Sequence, residues 1–207
     1  NTSIDIIQNG DFENWSSNYY PDNFIFDSFN KVISFSESIQ RSTSSHSGLY
    51  SLALTSNNSN DNYFINQSVV NLTPGDEVTF QFYAKSNNSD SVIVTLISNS
   101  SPNWADKQAY NFSSQSWETV TNSLGSEYLY TPTVSSSWSE HSIQLTVPDT
   151  GEISFYIIAN NTSEPVYIDD IALVSRRGVL STPLFNINSS ADGNTINTMS
   201  KLLSIST

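Results

Sequence analysis

The sequence has no cysteine and a single methionine in 207 residues. Missing cysteine excludes disulfides, thiol catalysis and thiolate metal sites, although it does not decide the compartment in which the protein works. Positive charge is also scarce, since 7 Lys and Arg stand against 20 Asp and Glu for a formal net charge of −13. Nucleic acids and anionic membranes require basic surfaces, so we expect neither as a partner. A strongly anionic ligand is also disfavoured, unless a local basic patch binds it.

Long apolar runs and catalytic motifs are absent as well. No apolar stretch reaches the roughly 18 residues of a membrane helix, so we expect no membrane insertion. The sequence contains no G-x-S-x-G, H-E-x-x-H or Gly-rich phosphate loop, and His46 and His141 have no nucleophile motif beside them. Paired carboxylates could in principle hydrolyse a glycoside, but we interpret the four available glutamates as solvated surface charges and expect no enzyme. Those four are Glu118, Glu127, Glu140 and Glu152.

What the chain does contain is enough apolar material for a core, with 37% hydrophobic and 12% aromatic residues. Short β-forming runs alternate with turn clusters such as residues 73–76 and 148–151, and no convincing helix or repeat interrupts them. This pattern predicts an all-β fold, a two-sheet antiparallel β-sandwich of the jelly-roll kind. We assign residues 1–177 to the sandwich and residues 178–207, rich in Ser, Asn and Thr, to a linker or tail.

Residues 166–174, VYIDDIALV, place two carboxylates inside a strongly β-forming run. On a regular strand, one of Asp169 and Asp170 shares a face with Tyr167, Ile171 and Leu173, and the other points to the opposite face. Both faces are largely apolar, and a carboxylate against an apolar layer is costly unless a cation or several donors meet it. Only oxygen ligands are on offer, so the run predicts a bound calcium ion.

A second acidic stretch lies near the start, at residues 9–15, NGDFENW. Asn-Gly is a turn signal, and Asp11 and Glu13 fall on one side of an extended chain. They form either the other half of an ion site or an acidic surface turn. Trp15, like Trp138, lies beside a strand end, and we interpret both as plugs of the core.

The segments IIQNGDFENW, HSGLYSLAL, INQSVVNLTPGDEVTFQFYAKS, WSEHSIQLTVPDTGEISFYI and VYIDDIALV occur in this order. Over residues 4–175 this order resembles the carbohydrate-binding modules of bacterial xylanases and glucanases, of the family 4, 9, 16 and 22 type with a galactose-binding-domain-like fold. The resemblance implies a structural calcium ligated by Glu13 and by Asp169, the latter because the family's Asp shares its face with the positions of Ile171 and Leu173. Backbone carbonyls around Asp11 and in the loop from Ser45 to Gly48, which contains Ser47, would complete the shell.

The resemblance also implies a function. It predicts a non-catalytic module that binds a polysaccharide or oligosaccharide, monomeric and part of a secreted bacterial multi-domain glycan-degrading protein. The chain begins at Asn1 without a methionine, which we interpret as a processed piece of an exported, extracellular protein. The alternative is a structural or adhesive cell-surface β-sandwich without a sugar site.

A glycan site needs exposed aromatic rings and planar hydrogen-bonding side chains. In the resembled modules the ligand lies either across the concave sheet or at the edge loops. Two groups of residues are therefore candidates: outward positions of the predicted strands and aromatic residues of segment 99–133. Alternatively these side chains cover the sheet or fasten a long loop. The candidates are Gln81, Tyr83, Gln144 and Tyr156 on strands and Trp104, Tyr110 and Trp117 in the segment.

Overall fold

The computed structural model describes residues 4–28, 38–56, 63–89, 92–98, 107–120, 124–160 and 162–175. Two six-stranded antiparallel sheets enclose one hydrophobic core, so the predicted all-β, two-sheet antiparallel sandwich is confirmed. Within these ranges, no helix has the length and apolar character that crossing a bilayer requires. The predicted tail, residues 178–207, and Trp104 lie outside the described residues.

The strands are short and follow one another along most of the described chain. They are β1 (Ile4–Asp5), β2 (Trp15–Ser17), β3 (Tyr20–Pro21), β4 (Ile25–Ser28), β5 (Ile39–Ser42), β6 (Ser51–Ser56), β7 (Tyr63–Val69), β8 (Glu77–Lys85), β9 (Val92–Ser98), β10 (Gln108–Asn111), β11 (Ser116–Thr119), β12 (Ser139–Thr146), β13 (Ile153–Ala159) and β14 (Thr162–Ser175). A single 3-10 turn, Ser126–Tyr128, is also described.

The two sheets draw their strands alternately from along the chain. The first sheet has the order β12–β8–β14–β6–β5, with β1 also paired to β14. The second has the order β11–β10–β9–β13–β7–β4, and β2 and β3 form a separate small ribbon. Because β14 lies in the middle of the first sheet and also pairs with β1, both ends of the described chain meet in that sheet.

Alternating side chains explain which face each strand buries. In β8, Val78, Phe80, Phe82 and Ala84 are buried, whereas the residues between them are half-exposed. β9 is buried on almost every residue, as its continuous apolar run predicts, because it lies inside the second sheet. The outward side chains of β8 and β12 therefore form one half-exposed surface on the first sheet.

The N-terminal turn fills one end of the core. Phe12 has a positive φ of 51° and is fully buried, and its ring stacks on that of Phe24 at 4.9 Å between centroids. Trp15 packs partly buried against the same cluster. Gly10 is required beside it, because a Cβ there would lie 1.8 Å from the carbonyl oxygen of Ile171. The turn is thereby held against β14.

A β-bulge corrects the predicted orientation of Asp169. Asp169 pairs with Tyr83 and Ala172 pairs with Gln81, so β14 has one residue more than β8 in this interval. The extra residue is accommodated at Asp170, whose φ is 47°. Asp169 consequently lies on the outer face with Tyr83, and the prediction that it shares a face with Ile171 is wrong.

Segment 99–133 contains regular structure that the sequence did not predict. β10 and β11 form an antiparallel hairpin at the edge of the second sheet, and Tyr110 pairs with Trp117 across it. Tyr130 adds an isolated bridge to Val94 further along β9. The sequence did not indicate this hairpin because its turn is polar and rich in serine, and because its strands contain too few apolar residues to show an alternating pattern.

Candidate functional site

The loop between β5 and β6, residues 43–50, folds over the outer face of the first sheet and is bound by the carboxylates of Glu13, Asp169 and Asp170. The fully buried Asp169 accepts hydrogen bonds through Oδ2 from the backbone N–H of His46, at 2.8 Å, and of Ser47, at 3.3 Å. Its Oδ1 accepts the N–H of Asp170 at 2.9 Å. Both oxygens of this carboxylate are thus satisfied by backbone donors, which is what allows the charge to be buried.

Glu13 binds the next part of the same loop from the N-terminal side. Its Oε1 accepts the N–H of Leu49 at 2.7 Å and of Tyr50 at 2.8 Å. Gly48 separates the two carboxylate-bound segments and has a φ of 58°; a Cβ there would lie 2.3 Å from Glu13 Oε1. Glycine is therefore needed at position 48 for both its conformation and its close approach. Glu13 and Asp169 thus meet on one loop, as the resemblance predicts.

Asp170 adds a third carboxylate through side chains of the loop. Its Oδ1 accepts the hydroxyl of Ser47 at 2.7 Å, and its Oδ2 lies 2.6 Å from Nδ1 of His46. The positive φ at Asp170 turns this carboxylate towards the loop although the adjacent Asp169 contacts the same residues. Both adjacent acids of β14 can contact the loop because of the bulge.

Burial dominates the titration of Asp169. It raises the pKa of the carboxyl to about 6, with a smaller rise from the neighbouring charge of Asp170. The hydrogen bonds from the N–H groups of His46, Asp170 and Ser47 lower the pKa and only partly offset the burial.

These contacts test whether the predicted ligands form a calcium site. Three of the four carboxylate oxygens of Glu13 and Asp169 accept backbone N–H groups, and calcium requires oxygens that face the ion instead. The Asp11 side chain is exposed and accepts only a long 3.5 Å bond from the N–H of Glu13. Ser47 donates its N–H to Asp169 and its hydroxyl to Asp170. Among the described residues, no three His, Cys, Asp or Glu side chains converge on a metal position.

In this arrangement the two side chains that the resemblance assigns to calcium, those of Glu13 and Asp169, are engaged by backbone donors. The burial of Asp169, which motivated the ion in the sequence argument, is already explained by direct hydrogen bonds to the loop. The calcium ion remains a prediction of the resemblance.

The loop places an imidazole on the aromatic surface of the first sheet. The ring of His46 stacks on Tyr83 with 3.6 Å between centroids and 13° between planes, and it meets Trp138 edge-on at 5.9 Å. Tyr83 donates its hydroxyl to Glu140 at 3.1 Å, and this bond raises the pKa of Tyr83 more than its burial does. One face of the Tyr83 ring is therefore occupied by His46 and not available to a sugar.

Gln81 lines a cleft of about 270 Å³ beside this loop. The cleft lies between the turn of residues 9–11 and the bulge of β14, and Asp11 and Asp170 contribute carboxylates to its wall. Gln144 is exposed on β12, paired with Thr79 on β8. Gln81, Tyr83 and Gln144 thus share the outer face of the first sheet, as predicted.

Tyr156 lies on the other sheet, in a cross-strand row with Asn66 of β7 and Thr95 of β9. The row faces away from the core, because Phe155 and Ile157 on either side of Tyr156 are core residues. Asn66 is nevertheless only 8% exposed and Thr95 only 1% exposed, whereas Tyr156 is half-exposed. Asn66 Oδ1 and Thr95 Oγ1 have no hydrogen-bond partner.

The described aromatic residues of segment 99–133 are used for packing. Tyr110 is only 4% exposed in the core, with its hydroxyl donating to the carbonyl of Gln144 at 3.3 Å. Trp117 packs partly buried on the core and donates Nε1–H to the carbonyl of Thr146 at 2.7 Å. These bonds fasten the hairpin of β10 and β11 to β12, so neither ring is presented on an open surface.

His141 lies near a hydroxyl but in a packed position. Its Nε2 is 3.1 Å from Ser139 Oγ, two residues along β12, and its ring packs at 5.3 Å from that of Phe82. Burial lowers the pKa of His141 below its usual value. Ser139 and His141 lie on one strand, and the His141 ring is buried against Phe82. This packing leaves no space for a substrate between the imidazole and the hydroxyl.

Sequence reasoning missed several residues of these two surfaces. Trp138 lies half-buried on the outer face of the first sheet, between His46 and Lys85, and not in the core as predicted. Asn66 and Thr95 were not singled out, because an isolated Asn or Thr in a strand carries no signal of burial. The alternation of β7 and β9 could have placed both on one face with Tyr156 only once the strand pairing was known.

Comparison with solved structures finds this sandwich in proteins of low sequence identity. The enzymatically active domain of tailspike protein 4 from bacteriophage CBA120 has a TM-score of 0.57 and 13% identity over 83% of this chain and 21% of that chain. TmCBM61, solved in complex with β-1,4-galactotriose, has a TM-score of 0.52 and 15% identity over 83% of this chain and 98% of its own.

The CBM22-1 xylan-binding domain of Xyn10C from Paenibacillus barcinonensis has a TM-score of 0.50 and 11% identity over 84% of this chain and 95% of its own. The chain thus spans about a fifth of the tailspike chain and nearly all of the two modules. The predicted resemblance to carbohydrate-binding modules is confirmed at the level of the fold. No protein family model matches the chain, and no curated protein sequence matches it.

The contacts of the carboxylates predict that their contribution to stability is independent of calcium. Changing Asp169 to Ala removes the acceptor of three backbone N–H groups, which should lower the free energy of unfolding by about 2–4 kcal/mol. Because the lost partners are backbone N–H groups, the loss should be the same in EDTA and in excess calcium. Urea unfolding in the two buffers measures it.

Asp149→Ala, an exposed acid in the turn before β13, is the matched control and should leave stability unchanged. If calcium instead stabilises the wild type and Asp169→Ala abolishes that response, an ion and not the hydrogen bonds carries the interaction.

The raised pKa of Asp169 predicts a pH dependence with a definite sign. Between the ordinary pKa of an aspartate, about 3.9, and the folded value of about 6, the folded state binds more protons than the unfolded state. This carboxyl therefore makes the protein less stable as pH rises through that window, by at most about 1.4 kcal/mol per pH unit. Unfolding of wild type and Asp169→Asn between pH 4 and pH 7 isolates the effect, and identical slopes for the two proteins would contradict it.

Proposed function

We propose that this chain is a non-catalytic polysaccharide-binding module that takes its glycan on the outer face of the second sheet. The observation that carries this proposal is the row of Asn66, Tyr156 and Thr95, in which two buried polar atoms flank an aromatic ring and have no partner.

Unpaired buried polar atoms are costly, at about 1–3 kcal/mol each, and they persist where another interaction uses them. An amide oxygen accepts a sugar hydroxyl, and a threonine hydroxyl can donate to or accept from one. The ring of Tyr156 presents an apolar surface to the C–H face of a pyranose, and it stays half-exposed, so a ligand can reach the ring. The row thus combines the two kinds of group that sugar binding requires.

Two solved structures with this fold and a named ligand support a glycan-binding function. TmCBM61 was solved with β-1,4-galactotriose, and the CBM22-1 domain is described as xylan-binding. The matched part of this chain covers nearly all of each of these two modules. We propose further that the module belongs to a secreted multi-domain protein and raises the local concentration of its partner domains on a glycan.

Tyr156→Ala tests the site directly. Affinity electrophoresis in gels that contain β-1,4-galactan, xylan or a β-glucan should retard the wild-type protein in at least one of them. The variant should bind about tenfold more weakly, because a ring contact of about 1.4 kcal/mol is lost. Tyr19→Ala, which removes an exposed tyrosine on the β2–β3 ribbon, is the control and should behave as wild type. A wild type that no glycan retards would overturn the proposed function.

Thr95→Val separates binding from stability. Valine keeps the shape of threonine and removes the unpaired hydroxyl, so the free protein should become more stable by about 1 kcal/mol while glycan affinity falls. Ser154→Ala on the same sheet is the matched control: its hydroxyl pairs with that of Ser68 at 2.6 Å, so this change should destabilise. Thermal melting and electrophoresis together give both readouts. A Thr95→Val protein that is less stable but binds normally would show that the hydroxyl is structural.

A further inference from the structure

A cation on the outer face of the first sheet is enclosed by aromatic rings and not by acids. The ammonium of Lys85 lies 4.9 Å from the ring centroid of Trp138 and 5.1 Å from that of Tyr167. It donates one hydrogen bond, to Ser44 Oγ at 2.5 Å. These four residues, Lys85, Trp138, Tyr167 and Ser44, are all half-exposed and are here named the Lys85 patch.

The absence of an acid beside Lys85 is unusual for this composition. The chain has 20 Asp and Glu for 7 Lys and Arg, yet no carboxylate in the described ranges forms an ion pair with Lys85. Arg41, on β5 of the same sheet, likewise lies over a ring, that of Tyr50, at 4.4 Å. Two cations of one sheet thus keep their charge uncompensated by acids in a strongly acidic protein.

Two acids on the same side of the first sheet are engaged elsewhere. Asp170 bonds His46 and Ser47, and Glu140 accepts the hydroxyl of Tyr83. Glu140 belongs to the neighbouring cross-strand row, where it pairs with Tyr83 and Tyr83 pairs with Asp169. Asp170 follows Asp169 directly. Neither acid forms an ion pair with Lys85. An anionic ligand could therefore bind the Lys85 ammonium without breaking an ion pair.

The patch opens onto a shallow cross-strand track. Lys85 pairs with Tyr167, Tyr167 with Ala53 and Ala53 with Gln40, so these four side chains form one row from β8 to β5. Three strand spacings span roughly 14 Å, enough for a few residues of an extended polymer. Ala53 is the smallest side chain in the row, and the loop reaches the row through the bond between Ser44 and Lys85.

We propose that the Lys85 patch is a second glycan site, separate from the row on the other sheet, and that it binds the carboxylate of a uronate unit in an acidic polysaccharide. The ammonium retains two donors beside the one used by Ser44, and a carboxylate accepts both. The rings of Trp138 and Tyr167 wall the patch and offer apolar contact to the sugar ring that carries the carboxylate. A neutral sugar would leave the ammonium without a counter-charge.

The test uses the whole chain with polygalacturonate and alginate as uronate polymers and a neutral β-glucan as comparator. Wild type should bind a uronate polymer, and the affinity should fall as NaCl rises from about 50 mM to about 500 mM, because salt screens the charge. Lys85→Gln should lose about tenfold in affinity, and Lys85→Arg should retain most of it because the charge remains. Lys107→Gln, a cation of the second sheet's edge region, is the matched control and should bind as wild type.

The outcomes separate this site from the proposed one on the second sheet. Uronate binding that survives Tyr156→Ala but not Lys85→Gln supports two independent sites. A wild type that binds neutral glycan but neither uronate polymer overturns the Lys85 site alone and leaves the proposed function standing. Uronate binding that Lys85→Gln does not weaken, in a variant with unchanged melting temperature, also overturns it.

Discussion

The structure depends on two carboxylates, the half-buried Glu13 and the fully buried Asp169, which accept backbone N–H groups of one loop. Glu13 arrives from the N-terminal turn, Asp169 arrives from β14, and residues 43–50 lie between them. A loop over a sheet would otherwise leave its N–H groups unpaired and the acids unsatisfied, which is costly on both sides. These bonds therefore hold the N-terminal turn and β14 on the same loop. They also fix the position of His46 above the first sheet, where its ring stacks on Tyr83.

The two outer faces of the sandwich have different chemistry as a result. On the first sheet, the loop covers Asp169 and stacks His46 on Tyr83, and the rings that remain accessible surround Lys85. On the second sheet, Tyr156 stands in a row whose polar atoms have no partner. One face thus offers charge beside aromatic rings, and the other offers unused hydrogen-bonding groups beside a ring, so the two suit ligands of different charge.

Sequence reasoning succeeded where the pattern was local. The alternation of β8 predicted a strand with one buried face, and the continuous apolar run of β9 predicted a central strand. The order of segments predicted the fold that solved carbohydrate-binding modules share. The resemblance to carbohydrate-binding modules also predicted that Glu13 and Asp169 lie close together. It failed at the orientation of Asp169 because a bulge, stabilised by a positive φ at Asp170, inserts one residue and reverses the alternation that the prediction assumed.

The amino-acid sequence by itself determined most of the strands and turns and the all-β class, because periodicity and turn residues act over a few neighbouring positions. It also determined that the chain is acidic and without thiols. Only the tertiary structure decided that a loop's N–H groups satisfy Asp169, that Asn66 and Thr95 flank Tyr156, and that rings enclose Lys85. Each of these depends on strand pairing between residues far apart in the chain, and such pairing follows from the packing of the whole sandwich.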